Sequence, residues 1–240
     1  MRSATSATDA PRPAAAEFYA TNRGGGLFSE ALSQRLGARI ALAASRLDAT
    51  PTALTLINLV LGLAVSAAVV ALAPAVAHGD APAWAVGVAA LVGWQLAYAF
   101  DCADGQLARV TGRTSAAGAR LDVLCDVAAQ IALVTALAAT AVAQRPSTPA
   151  WLVAAFAGTW MVNLVTSVLQ SGPQAASMMP SRSLPVRIVK LVRDYGAVVA
   201  MAGLVLAVAP EWTIWLIVAF TVVNGGFLLA SIAFAAGRSH

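Results

Sequence analysis

The chain has 240 residues, 59% of them hydrophobic and only 11% charged, with a mean hydropathy of +0.75. A soluble domain carries about 25% charged residues, so a soluble globular fold is excluded. The net charge of +4 comes from basic residues scattered over several loops, which argues against a nucleic-acid patch and for no nucleic acid among the partners. The hydrophobic weight lies in Ala, Val and Leu without the alternating segments of about ten residues that a β-barrel needs. The expected class is an all-α integral membrane protein with six transmembrane helices, preceded by an N-terminal amphipathic juxtamembrane helix.

In chain order, residues 1–16 (MRSATSATDAPRPAAA) are rich in Ala, Ser, Thr and Pro and read as a disordered tail. Their polarity argues against a signal peptide. Over residues 17–49 the pattern becomes helical. Leu27, Leu32, Leu36, Ile40 and Leu47 recur near helical spacing among Arg35, Arg39 and Arg46, as in a helix lying on the membrane with its basic side toward headgroups. An ordinary solvated helix is the alternative. Residues 50–238 form the expected six-helix transmembrane domain, each span near the roughly 20 residues a bilayer demands.

The first span runs from Pro51 to about Ala77, with Thr50 as N-cap and proline at the first helical position. The second runs from Pro82 to about Phe100 and continues as a helix toward Arg109. The third starts around Ala116, its uncharged part covering Val127 to Gln144. The others are Pro149–Gln170, Tyr195–Ala209 and Glu211–Ala236. Fourteen of the fifteen Lys and Arg residues fall in alternate loops of this layout, leaving Arg145 alone on the other side. The positive-inside rule therefore puts both termini on the cytosolic face of the plasma membrane.

Between spans two and three lies DCADGQLARVTGRTSAAGARLDVLCD, Asp101 to Asp126, which holds four of the eleven acidic residues. A carboxylate at mid-bilayer costs roughly 2.5–3.5 kcal/mol on insertion scales, so something must offset it. Asp101 and Asp104 are three apart and share a helix face; Asp122 and Asp126 are four apart and share another. Gly112, Thr114 and Ser115 suit a turn between two antiparallel helices. Two facing carboxylate pairs make an oxygen-rich cavity of the kind Mg²⁺ or Mn²⁺ prefers, large enough in charge for two ions.

Gly105, Ala108 and Gly118 remove side-chain bulk beside the carboxylates, either for a diphosphate-bearing group or for a close helix contact. Arg109 can bind phosphate bidentately or snorkel to the interface. Cys102 and Cys125 read as packed free thiols, because the only histidines, His78 and His240, are too distant in sequence to suggest zinc.

Together the positions read Asp101-x2-Asp104-Gly105-x2-Ala108-Arg109-x8-Gly118-x3-Asp122-x3-Asp126. All eight match the signature that the chain shares with the CDP-alcohol phosphotransferase family, which it resembles. The resemblance extends more weakly to the spans and to TPTALTLINLVLG, where many members have Pro-Asn in place of Pro51-Thr52. It implies six transmembrane helices, a homodimer, and a site open to the cytosol. It also implies a reaction: an alcohol attacks a CDP-linked lipid donor, commonly CDP-diacylglycerol, and CMP leaves. By position, Asp101, Asp104 and Asp122 would hold the metals, and Asp126 would add a ligand and act as general base. Gly105, Ala108 and Arg109 would line the CDP pocket, with Gly118 permitting close approach.

The acceptor is read from charge. Arg113 sits in the turn beside the aspartates, and Arg182, Arg187, Lys190 and Arg193 fall on the same side. Such a cluster suits a phosphorylated acceptor such as inositol phosphate or glycerol phosphate, although basic juxtamembrane residues also meet anionic headgroups. Arg193-Asp194 reads as an interfacial pair. The alternatives are an unphosphorylated acceptor such as serine or inositol, a non-enzymatic cation transporter using the aspartates, an aspartate-rich prenyltransferase, or an inactive family member.

Overall fold

The structure is a computed structural model that describes residues 13–22, 26–170 and 194–237. The cations at positions 182–193 and most of the expected N-terminal tail lie outside the described residues. A short helix α1 (Ala15–Ala20) opens before that tail's expected end. A π-helical turn (Ser29–Ser33) then runs directly into α2 (Gln34–Arg46).

Helix α3 (Pro51–His78) begins as its sequence dictates. Thr50 Oγ1 accepts from Ala53 N at 3.2 Å, and Pro51 fills the first turn, where a missing N–H costs nothing. It ends at Gly79, whose φ of 83° is the left-handed conformation that closes a helix without a Cβ penalty. Helices α4 (Ala83–Val110) and α5 (Ala116–Gln144) follow, joined by a tight turn in which Gly112 has φ 68°. Ser115 Oγ caps α5 by accepting from Gly118 N at 3.0 Å. Helices α6 (Ala150–Gln170), α7 (Tyr195–Val208) and α8 (Thr213–Gly237) complete the bundle, with a 3₁₀ turn (Pro210–Trp212) leading into the last.

Among the described residues, four helical stretches are long and apolar enough to cross a membrane: Pro51–His78, Ala83–Val110, Ala116–Gln144 and Pro210–Ala233. Ala150–Val162 and Tyr195–Val208 are shorter apolar helices. The protein is an integral membrane protein, as its composition requires.

Helix α3 packs along both α4 and α5, α4 is also flanked by α2 and α7, and α6 pairs with α8. The larger core joins Trp94, Leu133, Leu137, Phe156, Trp160 and Phe220, where Trp160 stacks on Phe220 at 4.4 Å. A second core at the other end of α4 joins Phe18, Ala38, Ala41, Leu54, Ala103 and Leu107.

Helix α2 lays a face of small residues on the bundle. Gly37, Ala38, Ala41 and Ala44 are buried, whereas Leu32 and Leu47 are exposed and Leu36 and Ile40 half-buried. A Cβ on Gly37 would stand 2.8 Å from Cys102 Cβ and 3.0 Å from the Ala99 carbonyl oxygen, so α2 lies almost backbone to backbone on α4. The small-residue seam decides the approach. Lipid solvates a leucine as well as a protein interior does, so packing between membrane helices follows close fit more than apolarity.

Candidate metal centre

The acidic stretch is neither a loop nor a single element. Its first half is the last turns of α4 and its second half the first turns of α5. Asp101 lies eighteen residues from Ala83, where α4 begins, and Asp126 lies eighteen residues from Gln144, where α5 ends. At 1.5 Å per residue each is about 27 Å from that common end. The two carboxylates therefore stand at one level along the bundle, toward the end where the turn joins α4 to α5.

Asp101, Asp122 and Asp126 each offer a carboxylate oxygen, and the three oxygens lie within 4.8 Å of one another. Like charges held this close repel strongly unless a cation or protons intervene. Asp122 Oδ1 is buried with no hydrogen-bond partner among the described residues, an acceptor left for something else to satisfy. The donor set is all oxygen and all anionic, which fits a hard divalent ion.

Asp104 stands outside this three-way group. It is buried, and its Oδ2 accepts from Thr55 Oγ1 on α3 at 2.5 Å. Asn58, one turn further along α3, donates from Nδ2 to Asp101 Oδ1 at 3.3 Å. A single polar face on α3 thus orients both aspartates of α4. These two residues went unread in the sequence, though the signal was present: Thr55 and Asn58 are polar, three apart, and set in an apolar helix.

The remaining expected residues divide. A Cβ on Gly105 would lie 2.8 Å from Arg109 Nη1, so the guanidinium folds back over this glycine one turn earlier. Asp122 on α5 feels the charge of Arg109 on α4. Ala108 is half-buried in the last turns of α4. Gly118 has a local role as the amide that Ser115 caps. Arg113 is exposed in the turn, its Nη1 donating to the Ala49 carbonyl oxygen at 3.5 Å. Cys102 and Cys125 are free thiols.

Behind the carboxylates is a cavity with Asp101 and Asp126 on its wall, together with Asn58, Tyr98 and Tyr195. Trp94, Gly62 and Leu133 line its apolar part. Tyr98 and Tyr195 meet edge to face at 4.9 Å. The arrangement combines clustered anions, an adjacent guanidinium and a partly polar hollow reaching between α3, α4, α5 and α7.

The family model for CDP-alcohol phosphatidyltransferase matches residues 48–223, from just before α3 into α8. The chain belongs to the CDP-alcohol phosphatidyltransferase family. No curated protein matches it closely enough to count as a relative. A CDP-alcohol phosphatidyltransferase moves a substituted phosphate from a CDP-linked donor to an alcohol, and the family is generally metal-dependent. The acidic cluster lies inside the matched region, on the two helices that the signature spans.

Proposed function

We propose that the protein transfers the phosphatidyl group of CDP-diacylglycerol to a small alcohol, releasing CMP, in phospholipid biosynthesis. One observation carries the proposal: three carboxylates from two helices converge within 4.8 Å, and one of their oxygens is buried without a partner. Asp101, Asp104, Asp122 and Asp126 would hold two Mg²⁺ or Mn²⁺ ions. When bound, such ions neutralise a diphosphate and stabilise the departing CMP.

The chain's own groups do the rest. Thr55 and Asn58 hold Asp104 and Asp101 in fixed rotamers. Gly105, Ala108 and Gly118 leave room for the cytidine diphosphate, and Arg109 turns from Asp122 to a phosphate oxygen once the donor enters. The acceptor hydroxyl attacks the lipid-bearing phosphorus, the bond from phosphorus to the CMP oxygen breaks, and Asp126 takes the hydroxyl proton. Arg113 meets the acceptor. An exposed guanidinium in the turn between the two carboxylate-bearing helices favours a phosphorylated acceptor, such as inositol phosphate or glycerol phosphate, over serine or inositol.

The same reading gives six transmembrane helices over residues 50–238, with α6 and α7 as the shorter crossings. The arginine-bearing face of α2 rests on headgroups, and the site opens to the cytosol of a plasma-membrane homodimer. The deciding experiment incubates purified protein with CDP-diacylglycerol, Mg²⁺ and one of four acceptors: inositol phosphate, glycerol phosphate, serine or inositol. Mass spectrometry then identifies the lipid product. A new phospholipid with stoichiometric CMP is expected from a phosphorylated acceptor. Absence of CMP with every acceptor would overturn the reading.

A further inference from the structure

Asp194, which the sequence presents as half of an interfacial pair, is buried with 4% of its surface exposed. A buried carboxylate must be satisfied by donors or it is strongly destabilising. Its Oδ2 accepts from the backbone amides of Phe28 at 2.9 Å and Ser29 at 3.0 Å. Its Oδ1 accepts from the amides of Gly196 at 3.1 Å and Ala197 at 3.5 Å, and from the Ser29 hydroxyl. One carboxylate therefore caps two helix starts at once, that of α7 and that of the helical turn leading into α2, 166 positions away in sequence. Both starts supply unsatisfied amides and a positive dipole end, so one negative charge serves both. The approach depends on glycine. A Cβ on Gly26 would run into the Asp194 side chain, and one on Gly196 would stand 2.9 Å from Ser29 Oγ.

The cap reaches the wall of the cavity beside the carboxylates. Ser29 Oγ also lies 3.1 Å from the Tyr98 hydroxyl. The single Ser29 hydrogen goes to Asp194, so Tyr98 is the donor in that bond. Tyr98 is on α4 one turn before Asp101, and Tyr195 follows Asp194. Both line the cavity that Asp101 and Asp126 share. Beside this chain, Gln95 on α4 donates to the Gly196 carbonyl oxygen at 2.6 Å and accepts from Ser33 Oγ at 3.3 Å. The two capped helices, α2 and α7, also pack directly against α4.

We propose that Asp194 is a positioning residue: by tying α2 and α7 together through Ser29 and Tyr98, it sets the pose of α4 and so the spacing of Asp101 and Asp104 from the carboxylates of α5. The proposal rests on the reading of those carboxylates as a metal centre. Its test measures Mn²⁺ affinity and backbone protection as well as turnover, so a failure of the transferase reading remains distinct.

The experiment compares full-length wild type with Asp194→Asn and with the milder Ser29→Ala, which keeps every backbone cap. Thr213→Ala serves as a control: it removes a buried 2.7 Å bond to the Pro210 carbonyl oxygen at the start of α8, away from the site. Removing a group that orients a metal ligand costs about 10–100-fold in metal affinity or activity. Both test variants are expected to weaken Mn²⁺ binding by about tenfold. They should lower kcat with an unchanged KM for CDP-diacylglycerol, and raise hydrogen exchange over residues 26–33 and 98–104. Thr213→Ala should lower the melting temperature while leaving Mn²⁺ affinity alone. Wild-type Mn²⁺ affinity and exchange in a folded Ser29→Ala protein would overturn the proposal. Should Asp194→Asn not fold, Ser29→Ala alone decides. A wild type that binds Mn²⁺ yet releases no CMP would sink the transferase reading, and the Mn²⁺ affinities would still decide the role of Asp194.

Discussion

Thr55 on α3 donates its hydroxyl to Asp104 on α4 across 2.5 Å, in a place where both side chains are buried. The same hydroxyl lies 3.2 Å from the Pro51 carbonyl oxygen, the alternative local partner for a threonine in a helix. The carboxylate wins the hydrogen because a charged acceptor makes the stronger bond. Thr55→Val keeps the shape and removes the donor. Hydrogen bonds to charged groups contribute about 1.5–3 kcal/mol, so the variant should weaken Mn²⁺ binding by roughly tenfold or more. Titration of the purified variant with Mn²⁺ checks this, and equal affinity would mean that Asp104 needs no holding.

Asp126→Asn keeps an oxygen in the cluster but no basic carboxylate. A general base contributes about 10²–10⁴-fold, so CMP release should fall within that range while the protein stays helical. Circular dichroism and a CMP assay on the same preparation separate the two effects. Wild-type turnover would assign the proton to another group.

Excess chelator should stop transfer, and added Mg²⁺ or Mn²⁺ should restore it. The melting temperature should also fall on chelation, because a ligand that binds only the folded state stabilises it. The clustered carboxylates of Asp101, Asp122 and Asp126 then face one another uncompensated. Activity that persists in chelator would exclude divalent metal from the reaction.

Arg113 is exposed, and among the described residues it makes a 3.5 Å contact to the Ala49 carbonyl oxygen, so its guanidinium can turn to a substrate at little cost. Arg113→Ala should raise KM for a phosphorylated acceptor while leaving KM for the CDP-lipid and the melting temperature unchanged. An unaltered acceptor KM would remove Arg113 from the acceptor site.

Gly37→Val would force α2 off α4 beside Cys102 and Ala103, the two residues before Asp104. Overpacking of this kind costs roughly 1–3 kcal/mol. The variant should unfold at a lower temperature and lose turnover together, by thermal denaturation and CMP assay. A wild-type melting temperature would show that α2 can rest on α4 without the close seam.

Much of the bundle is legible in the residues. Thr50-Pro51, Pro82, Gly112 and Ser115 mark helix boundaries that local chemistry alone enforces, and the structure follows them at α3, α4 and α5. The signature aspartates share helix faces because their spacing leaves no other choice. Other features depend on distant partners. Nothing near Asp194 announces that its oxygens meet amides 166 positions away. Asp104 pairs with Thr55 because α3 and α4 cross where they do, which spacing within α4 cannot express. The seam of α2 on α4 likewise rests on Gly37 meeting Cys102 and Ala99, a contact that the leucine pattern of α2 does not express.

Helices α4 and α7 meet at Gly87 and Gly203, where a Cβ on the first would collide with the Ala207 backbone and one on the second would stand 2.6 Å from Leu91 Cα. With main chain against main chain there are no rotamers to yield, so the pair behaves as a single strut. Rearrangement within the bundle is then left to partners joined through longer side chains, and the helix that carries Asp101 moves together with α7.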